Sequence, residues 1–534
     1  MKRNVLIGGA WPYANNSLHI GHIAGLIGGD IIARYYRGCG DNVVYVSGTD
    51  SHGTPITLRA KEEGLKPVVI ADRYHQEFIE TFNKINFSYD LYTTTDTSYH
   101  REKVMNYFSK IYQNGYLYEK EIDEAYCETC KVFLADREII GTCPICQGKA
   151  KGDQCDNCLT SLDSKDILNK RCNNCNNLTI SKVNKHLYFK LSAFQNVLTN
   201  YLYQHQNTWR KNAYNESLKY LNMGLIDRCA TRQLEWGIDI PIKGYEDKKI
   251  YVWFEAVMGY LTASQKVLET QNKDFEKFIK DPSLISYYVH GKDNIPFHTI
   301  IFPALLQAIN VDYQLPTYII SSEYVNMNDE KMSKSLGNLI TSNQLVDQYG
   351  ADPVRFALIF NGPEKKDTNF KLEDFITTHN KFLVGILGNF INRNLSYINK
   401  KFEGKIALGN INPIIKNKTI ETYKEVGILI EKGHLKNALE KVFDYIILGN
   451  KYYDEEEPWI KIKDNLKTFN DITYTCIYMI ANIANLIHPF LPDTSLKIKN
   501  MLTLKDYKWE EEEINSSINI KSLNILFERF EIEK

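Results

Sequence analysis

Short apolar runs alternate with helix-length amphipathic stretches along most of the chain. Val5-Leu6-Ile7 closes on Gly8-Gly9 and reads as a buried strand. From Gly21 to Arg37 apolar residues recur at helical spacing, and Gly38-Cys39-Gly40 ends the pattern. Val43-Val44-Tyr45-Val46 is a second strand candidate running into Gly48-Thr49-Asp50. Strand, helix and strand in that order predict a parallel βαβ unit. The alternation returns at Ile250-Tyr251-Val252-Trp253 and at Ile285-Ser286-Tyr287-Tyr288-Val289, each read as a strand followed by a helix. Tyr318-Ile319-Ile320-Ser321 is one more strand candidate. From about Lys381 onward only helical periods remain, as in Val442, Phe443, Tyr445, Ile446 and in Tyr478, Ile480, Ile483, Leu486, Ile487. The pattern predicts an α/β parallel sheet followed by an all-α bundle. Ligands of such sheets bind at the carboxyl ends of strands, where this reading puts Asp50, Trp253, His290 and the turn Gly291-Lys292-Asp293.

With 534 residues the chain has room for three or four domains. A formal net charge of −1 does not announce a nucleic-acid binder, so any basic surface must be local. One candidate runs from Ile376 to Lys418, where seven Lys and Arg face a single acid, Glu403. No apolar run approaches membrane-spanning length, and Met1-Lys2-Arg3-Asn4 leads directly into a strand. A cytoplasmic protein without a membrane partner is expected.

Two segments about 310 residues apart carry candidate chemistry. Leu18-His19-Ile20-Gly21-His22 lies where the first strand turns into its helix. A helix N-terminus offers free N–H groups and a positive dipole end, which suit phosphate. Gly21 lets a ligand approach the backbone, and two imidazoles there can donate to charge that develops in a transition state. The second segment, Lys331-Met332-Ser333-Lys334-Ser335, carries two lysines as flexible point charges. Alone it reads as well as an ordinary solvated loop.

Eight of the eleven cysteines form four Cys-x-x-Cys pairs: Cys127/Cys130, Cys143/Cys146, Cys155/Cys158 and Cys172/Cys175. Two pairs complete a tetrahedral four-thiolate site, so two structural Zn²⁺ ions are expected, with a single ion as the alternative. Disulfides are the rival reading, and nothing in the sequence indicates secretion. Such closed sites have no open position for a substrate. The inner pairs are close in sequence, so Cys143, Cys146, Cys155 and Cys158 combine at low loop entropy. That leaves Cys127, Cys130, Cys172 and Cys175 as an outer set; sequential pairing is the alternative. Cys39, Cys229 and Cys476 read as core residues.

The His-x-Gly-His and Lys-Met-Ser-Lys-Ser pair resembles the HIGH and KMSKS signatures of class I aminoacyl-tRNA synthetases. From Trp11-Pro12-Tyr13-Ala14 to Pro458-Trp459 the chain is similar to the methionyl-tRNA synthetase family in particular. The resemblance implies a Rossmann-type catalytic domain in two halves, 1–116 and 231–325, split by a zinc-bearing connective insertion at 117–230. It further implies a KMSKS loop and stem-contact segment at 326–380 and an anticodon-binding bundle at 381–534. It also favours the nested cysteine sets.

The implied activity is ATP-dependent ligation of L-methionine to tRNA(Met) through a methionyl-adenylate, with Mg²⁺ accompanying ATP. His19, His22, Lys331, Lys334 and Arg232 would be catalytic, and His19, Gly21, His22, Lys334, Gly291 and Asp293 would hold ATP. Tyr13, Asp50, Trp253, Ala256, Tyr260 and His298 would hold methionine, whose polarizable thioether suits aromatic walls. Asn389, Arg393 and Trp459 match the family's anticodon readers, although Trp459 after Glu455-Glu456-Glu457-Pro458 reads equally as a helix-start anchor. Val257, Asn294 and Phe302 stand where familiar bacterial members carry proline, isoleucine and tryptophan, and resemble the archaeal and eukaryotic branch. With only some 70 residues after Trp459, no appended dimerisation barrel fits, and a monomer is expected. Three rivals stay open: another class I synthetase, a small-molecule nucleotidyltransferase, which shares His-x-Gly-His but lacks the helix bundle, and a zinc-binding RNA adaptor without catalysis.

Overall fold

A computed structural model describes residues 2–134, 138–152, 155, 157–158, 162, 166–327, 330–331, 341–405, 407–514, 520 and 523–532. Five parallel strands form its central sheet: β1 (Asn4–Gly9), β2 (Asn42–Thr49), β3 (Leu91–Thr94), β4 (Ile285–Gly291) and β5 (Tyr318–Ser322). Their spatial order is β5-β4-β1-β2-β3. β1 lies at the centre, with Ile7 opposite Tyr287 on β4 and Tyr45 on β2. Both faces of the sheet are covered, so its strands are near-continuous apolar runs; Val5, Leu6 and Ile7 are fully buried. The chain runs outward from β1 to β2 and β3, then returns to place β4 and β5 on the other side. The direction of winding therefore switches between β1 and β4, and their carboxyl ends frame a crevice. Helix α1 (Ile20–Gly38) is the crossover from β1 to β2.

The strand expected at Ile250–Trp253 is not there. Lys249–Ile250 makes a two-residue antiparallel pair with Thr231–Arg232, and Val252 opens helix α2 (Val252–Thr270). Trp253 therefore sits in the first turn of a helix rather than at a strand end. Four apolar residues fit a buried strand and a buried helix turn equally, and the packing of Phe254, Val257, Met258 and Leu261 decides for the helix.

Between the two halves of the sheet, Leu117–Cys127 and Ile180–Phe189 form a long antiparallel ribbon. Its far end carries the cysteine pairs and a small sheet of Ile139–Thr142, Lys149–Lys151 and Leu168–Cys172. The C-terminal part is helical, with Asn389–Phe402, Pro413–Glu431, Leu435–Glu456, Pro458–Asp464, Leu466–Ile487 and Pro492–Leu502 as its main members. One fully buried side chain ties this bundle to the sheet. Arg355 donates to Asp30 on α1 at 2.7 Å, to the Phe490 carbonyl at 2.8 Å and to the Ile85 carbonyl at 3.2 Å. Among the described residues, no helix is long and apolar enough to cross a membrane.

Candidate active site

The histidine signature caps its own helix. His19 is the N-cap of α1, and its Nδ1 accepts the Gly21 N–H at 3.1 Å. His22 Nδ1 accepts the His19 N–H, also at 3.1 Å. This is a capping box built from two imidazoles, a job usually done by Ser or Thr with Glu or Gln. Because both Nδ1 atoms accept, each neutral ring carries its proton on Nε2. Burial pushes His19 down to about 4. Burial and its neighbour His19 push His22 down to about 3. At neutral pH the pair is thus two uncharged N–H donors, with ring centroids 3.8 Å apart. No acidic side chain lies in the first turn of α1 to compete for them.

Of the second signature, Lys331-Met332-Ser333-Lys334-Ser335, only Lys331 lies among the described residues. Lys331 closes a two-residue antiparallel pair with Asn326, while Lys334 lies outside the described residues. Beyond the loop, Thr341 bridges to His19 and the Ser342 N–H donates to the Leu18 carbonyl at 3.1 Å. The chain thus returns onto the backbone of the histidine motif.

The residues expected to hold methionine converge at the crevice. Asp50, 1% exposed, follows β2 and forms a parallel bridge with Tyr13. Tyr13 meets Trp253 edge-on at 5.6 Å. Ala256 and Tyr260 lie on the next turns of α2, both buried. The Tyr260 hydroxyl is 2.7 Å from His298 Nε2, whose Nδ1 donates to the Asn294 carbonyl at 2.8 Å. His298 Nε2 therefore accepts from Tyr260. Burial pushes His298 down to about 4. Gly291 ends β4, and a Cβ added there would meet nothing within 4 Å. Asp293 accepts a short hydrogen bond from the Tyr324 hydroxyl. Arg232 is directed elsewhere in this structure: its guanidinium lies 3.9 Å over the Tyr251 ring and donates to the Cys229 and Thr231 carbonyls.

Neighbours of these residues escaped the sequence reading, as did the contact that His290, already placed at a strand end, makes with His298. Phe297 stacks on Trp253 at 3.8 Å. His290 stacks on His298 at 4.2 Å. Trp11 fills the gap between Gly48 and Gly259, where an added Cβ would come within 2.4 and 2.7 Å of its ring. Beneath Asp50 lies a buried polar group of His52, Glu255 and His100. The segment Gly48-Thr49-Asp50-Ser51-His52 held the only local signal for it.

The cysteines assemble in the nested arrangement. Cys127, Cys130, Cys172 and Cys175 form one cluster and Cys143, Cys146, Cys155 and Cys158 the other, with all sulfurs of a cluster within 4.8 Å of one another. Across the pairs, Sγ–Sγ distances are 3.4 and 3.9 Å in the first cluster. They are 3.9 and 3.5 Å in the second. A tetrahedral ion with Zn–S bonds of ~2.3 Å would set sulfurs ~3.8 Å apart, so both donor sets fit such an ion.

In the bundle, Arg393 donates to Asp454 at 2.7 Å and lies 4.7 Å over Tyr453 and 6.0 Å from Trp459. Trp459 is 36% exposed in the first turn of its helix. Asn389, one turn before Arg393, donates to Asn450 at 3.1 Å. The basic stretch Ile376–Lys418 is less basic than it reads. Arg393, Lys416 and Lys418 face Asp454, Glu511 and Glu421 at 2.7, 3.5 and 2.7 Å.

Residues 5–395 match the family model described as tRNA synthetases class I (M), and residues 411–526 match that of the anticodon binding domain of methionyl tRNA ligase. A protein of Alkaliphilus oremlandii named methionine–tRNA ligase 1 is 46% identical over 99% of this chain and 97% of its own length. The methionine–tRNA ligase of Bacillus cereus (strain Q1) is 44% identical over the same shares. Among solved structures, Mycobacterium tuberculosis methionyl-tRNA synthetase in complex with methionyl-adenylate superposes with a TM-score of 0.82. It shares 22% identity, covering 99% of this chain and 100% of its own.

Proposed function

The chain belongs to the class I methionine–tRNA ligases, and from that premise we propose how its residues divide the work. The methionine carboxylate attacks the α-phosphate of ATP, pyrophosphate leaves, and the 3′-terminal adenosine hydroxyl of tRNA(Met) then attacks the adenylate carbonyl. No side-chain nucleophile is needed. His19 and His22 donate from Nε2 to phosphate oxygens at the N-terminus of α1, and Gly21 keeps the backbone open to them. Lys331 and Lys334 supply the opposing positive charge, and Mg²⁺ accompanying ATP would neutralise phosphate charge. Gly291 and Asp293 border the nucleotide. Arg232 assists only if its guanidinium leaves Tyr251.

Asp50 takes the substrate ammonium; Tyr13, Trp253, Ala256, Tyr260 and His298 enclose the thioether. Asn389, Arg393 and Trp459 contact the anticodon, with Arg393 and Trp459 offering stacking surfaces for unpaired bases. The two cysteine clusters would each hold a structural Zn²⁺ remote from chemistry. The domain bounds drawn from the sequence, 1–116, 117–230, 231–325, 326–380 and 381–534, are proposed on the same footing.

One observation carries the reading: the Thr341–His19 bridge sets the exit of the lysine loop against the histidine cap, beside the crevice that Asp50 and Tyr13 enter. Amino-acid-dependent ATP–pyrophosphate exchange across the twenty amino acids tests it. Methionine alone should support fast exchange; equal or faster exchange with leucine or isoleucine overturns the assignment.

A further inference from the structure

Asp50 lies in an unfavourable place for a carboxylate that must meet a cation. It is buried, and Glu255 on α2 is a second buried carboxylate, 0% exposed. Burial and the charge of Glu255 together push the Asp50 carboxyl well above the usual carboxylate range. Left so, Asp50 would hold a proton and offer little to an ammonium group.

The compensation is on the same stretch of backbone. The His52 N–H donates to Asp50 Oδ1 at 3.3 Å. The His52 ring, 1% exposed, donates from Nδ1 to Glu255 at 2.6 Å, and its Nε2 lies 3.5 Å from Asp96. A ring set between two carboxylates is stabilised as imidazolium. Against its burial and the Arg101 guanidinium 3.1 Å from Nε2, Glu255 and Asp96 hold His52 up at about 9. His100 touches Glu255 at 3.3 Å and Thr262 at 2.8 Å, and burial keeps it below the usual histidine range. Arg101 binds Asp96, approaches His52 Nε2 at 3.1 Å and donates to the Gly237 carbonyl at 2.9 Å. The Trp236 indole N–H caps the arrangement by donating to the Ser51 carbonyl at 2.7 Å. The titratable and charged groups around Asp50 are thus Tyr13, His52, Glu255, Asp96, His100 and Arg101.

We propose that His52 is a positioning residue for methionine binding: wedged between Glu255 and Asp96, its ring offsets the Glu255 charge and leaves Asp50 to receive the ammonium group. This rests on the reading of Asp50 as the ammonium ligand. His52 touches no reacting atom. It acts through Asp50, from a strand end that Trp236 and Arg101 brace.

The test uses two ligands that share the thioether: methioninol, which has the ammonium group, and 4-(methylthio)butanoate, which lacks it. Binding to the full chain is followed by tryptophan fluorescence across neutral and mildly acidic pH. His52→Gln should weaken methioninol about 10-fold, by raising the Asp50 pKa about one unit. The deficit should grow as pH falls, because Asp50 must lose its proton to bind. Binding of 4-(methylthio)butanoate should stay within about twofold. The double variant His52→Gln/Glu255→Gln should recover much of the loss, since the opposing buried charge is gone. Equal weakening of both ligands, a pH-independent loss, no recovery in the double variant, or no effect overturns the proposal. Asp50→Asn separates the two levels. If it leaves methioninol binding intact, the ammonium reading itself fails; if it abolishes binding while His52→Gln is silent, only the present inference fails.

Discussion

The two ends of the proposed methionine pocket treat the same side chain in opposite ways. Beneath Asp50, His52 sits between Glu255 and Asp96 and is held up at about 9. At the other end His298 is also buried, and burial pushes it down to about 4. Among the described residues its hydrogen-bond partners are the Tyr260 hydroxyl and the Asn294 carbonyl. Burial is common to both rings, so burial does not set the charge. Partners do: carboxylates make one end a charge-balanced floor, and neutral dipoles make the other a wall that a thioether can touch without facing an ion.

The sharpest way to break this contrast is at the charged end. Asp50→Asn should lower kcat/KM for methionine in pyrophosphate exchange by ~10²-fold or more, because an ammonium group would be buried without its counter-ion. A loss below tenfold would mean that the floor is not where the ammonium binds. Trp459→Ala is the control that should leave both ends alone. It removes a base-stacking surface and should cost aminoacylation about 5- to 150-fold with tRNA-free exchange unchanged. A parallel fall in exchange would make Trp459 a folding anchor.

At the neutral end, Tyr260→Phe leaves His298 Nε2 without its donor. Methionine kcat/KM should fall about tenfold, and discrimination against norleucine should shrink with it, because a sulfur-facing hydroxyl and imidazole are disordered together. Unchanged discrimination would separate Tyr260 from sulfur recognition.

The smallest effect sharpens the contrast through stability. His298 has a depressed folded pKa, so the unfolded chain binds more protons below about 6.5; its contribution is lost as pH falls toward about 4. His52 has a raised one, so its contribution is full below about 6.5 and is lost as pH rises through about 9. Urea unfolding against pH should show His298→Gln flattening the acid side and His52→Gln the basic side, each by at most ~1.4 kcal/mol per pH unit. Both variants flattening the same side would contradict the assignment of charge.

Much of this was legible in the chain. β1 and β2 announced themselves because strands buried on both faces become unbroken apolar runs. The cysteine pairs announced their sites because two residues between cysteines is the reach that wraps an ion. Trp253 was misplaced because four apolar residues do not distinguish a strand from a helix turn. The partnership of His52 with Glu255 was invisible because 203 residues separate them. The acids facing Lys416 and Arg393 were hidden in the same way, because they come from elsewhere in the chain.

The imidazole capping box has one more consequence, for anyone selecting a sturdier variant. Asp or Ser at position 19 would cap α1 as well as or better than His19, and an acidic cap would also favour the positive end of the helix. Screens for thermal tolerance should therefore enrich such substitutions. They would do so by placing a counter-charge, or nothing, where two neutral N–H donors now stand at the proposed phosphate site. At this turn robustness and activity pull apart, and the native sequence has kept the weaker cap.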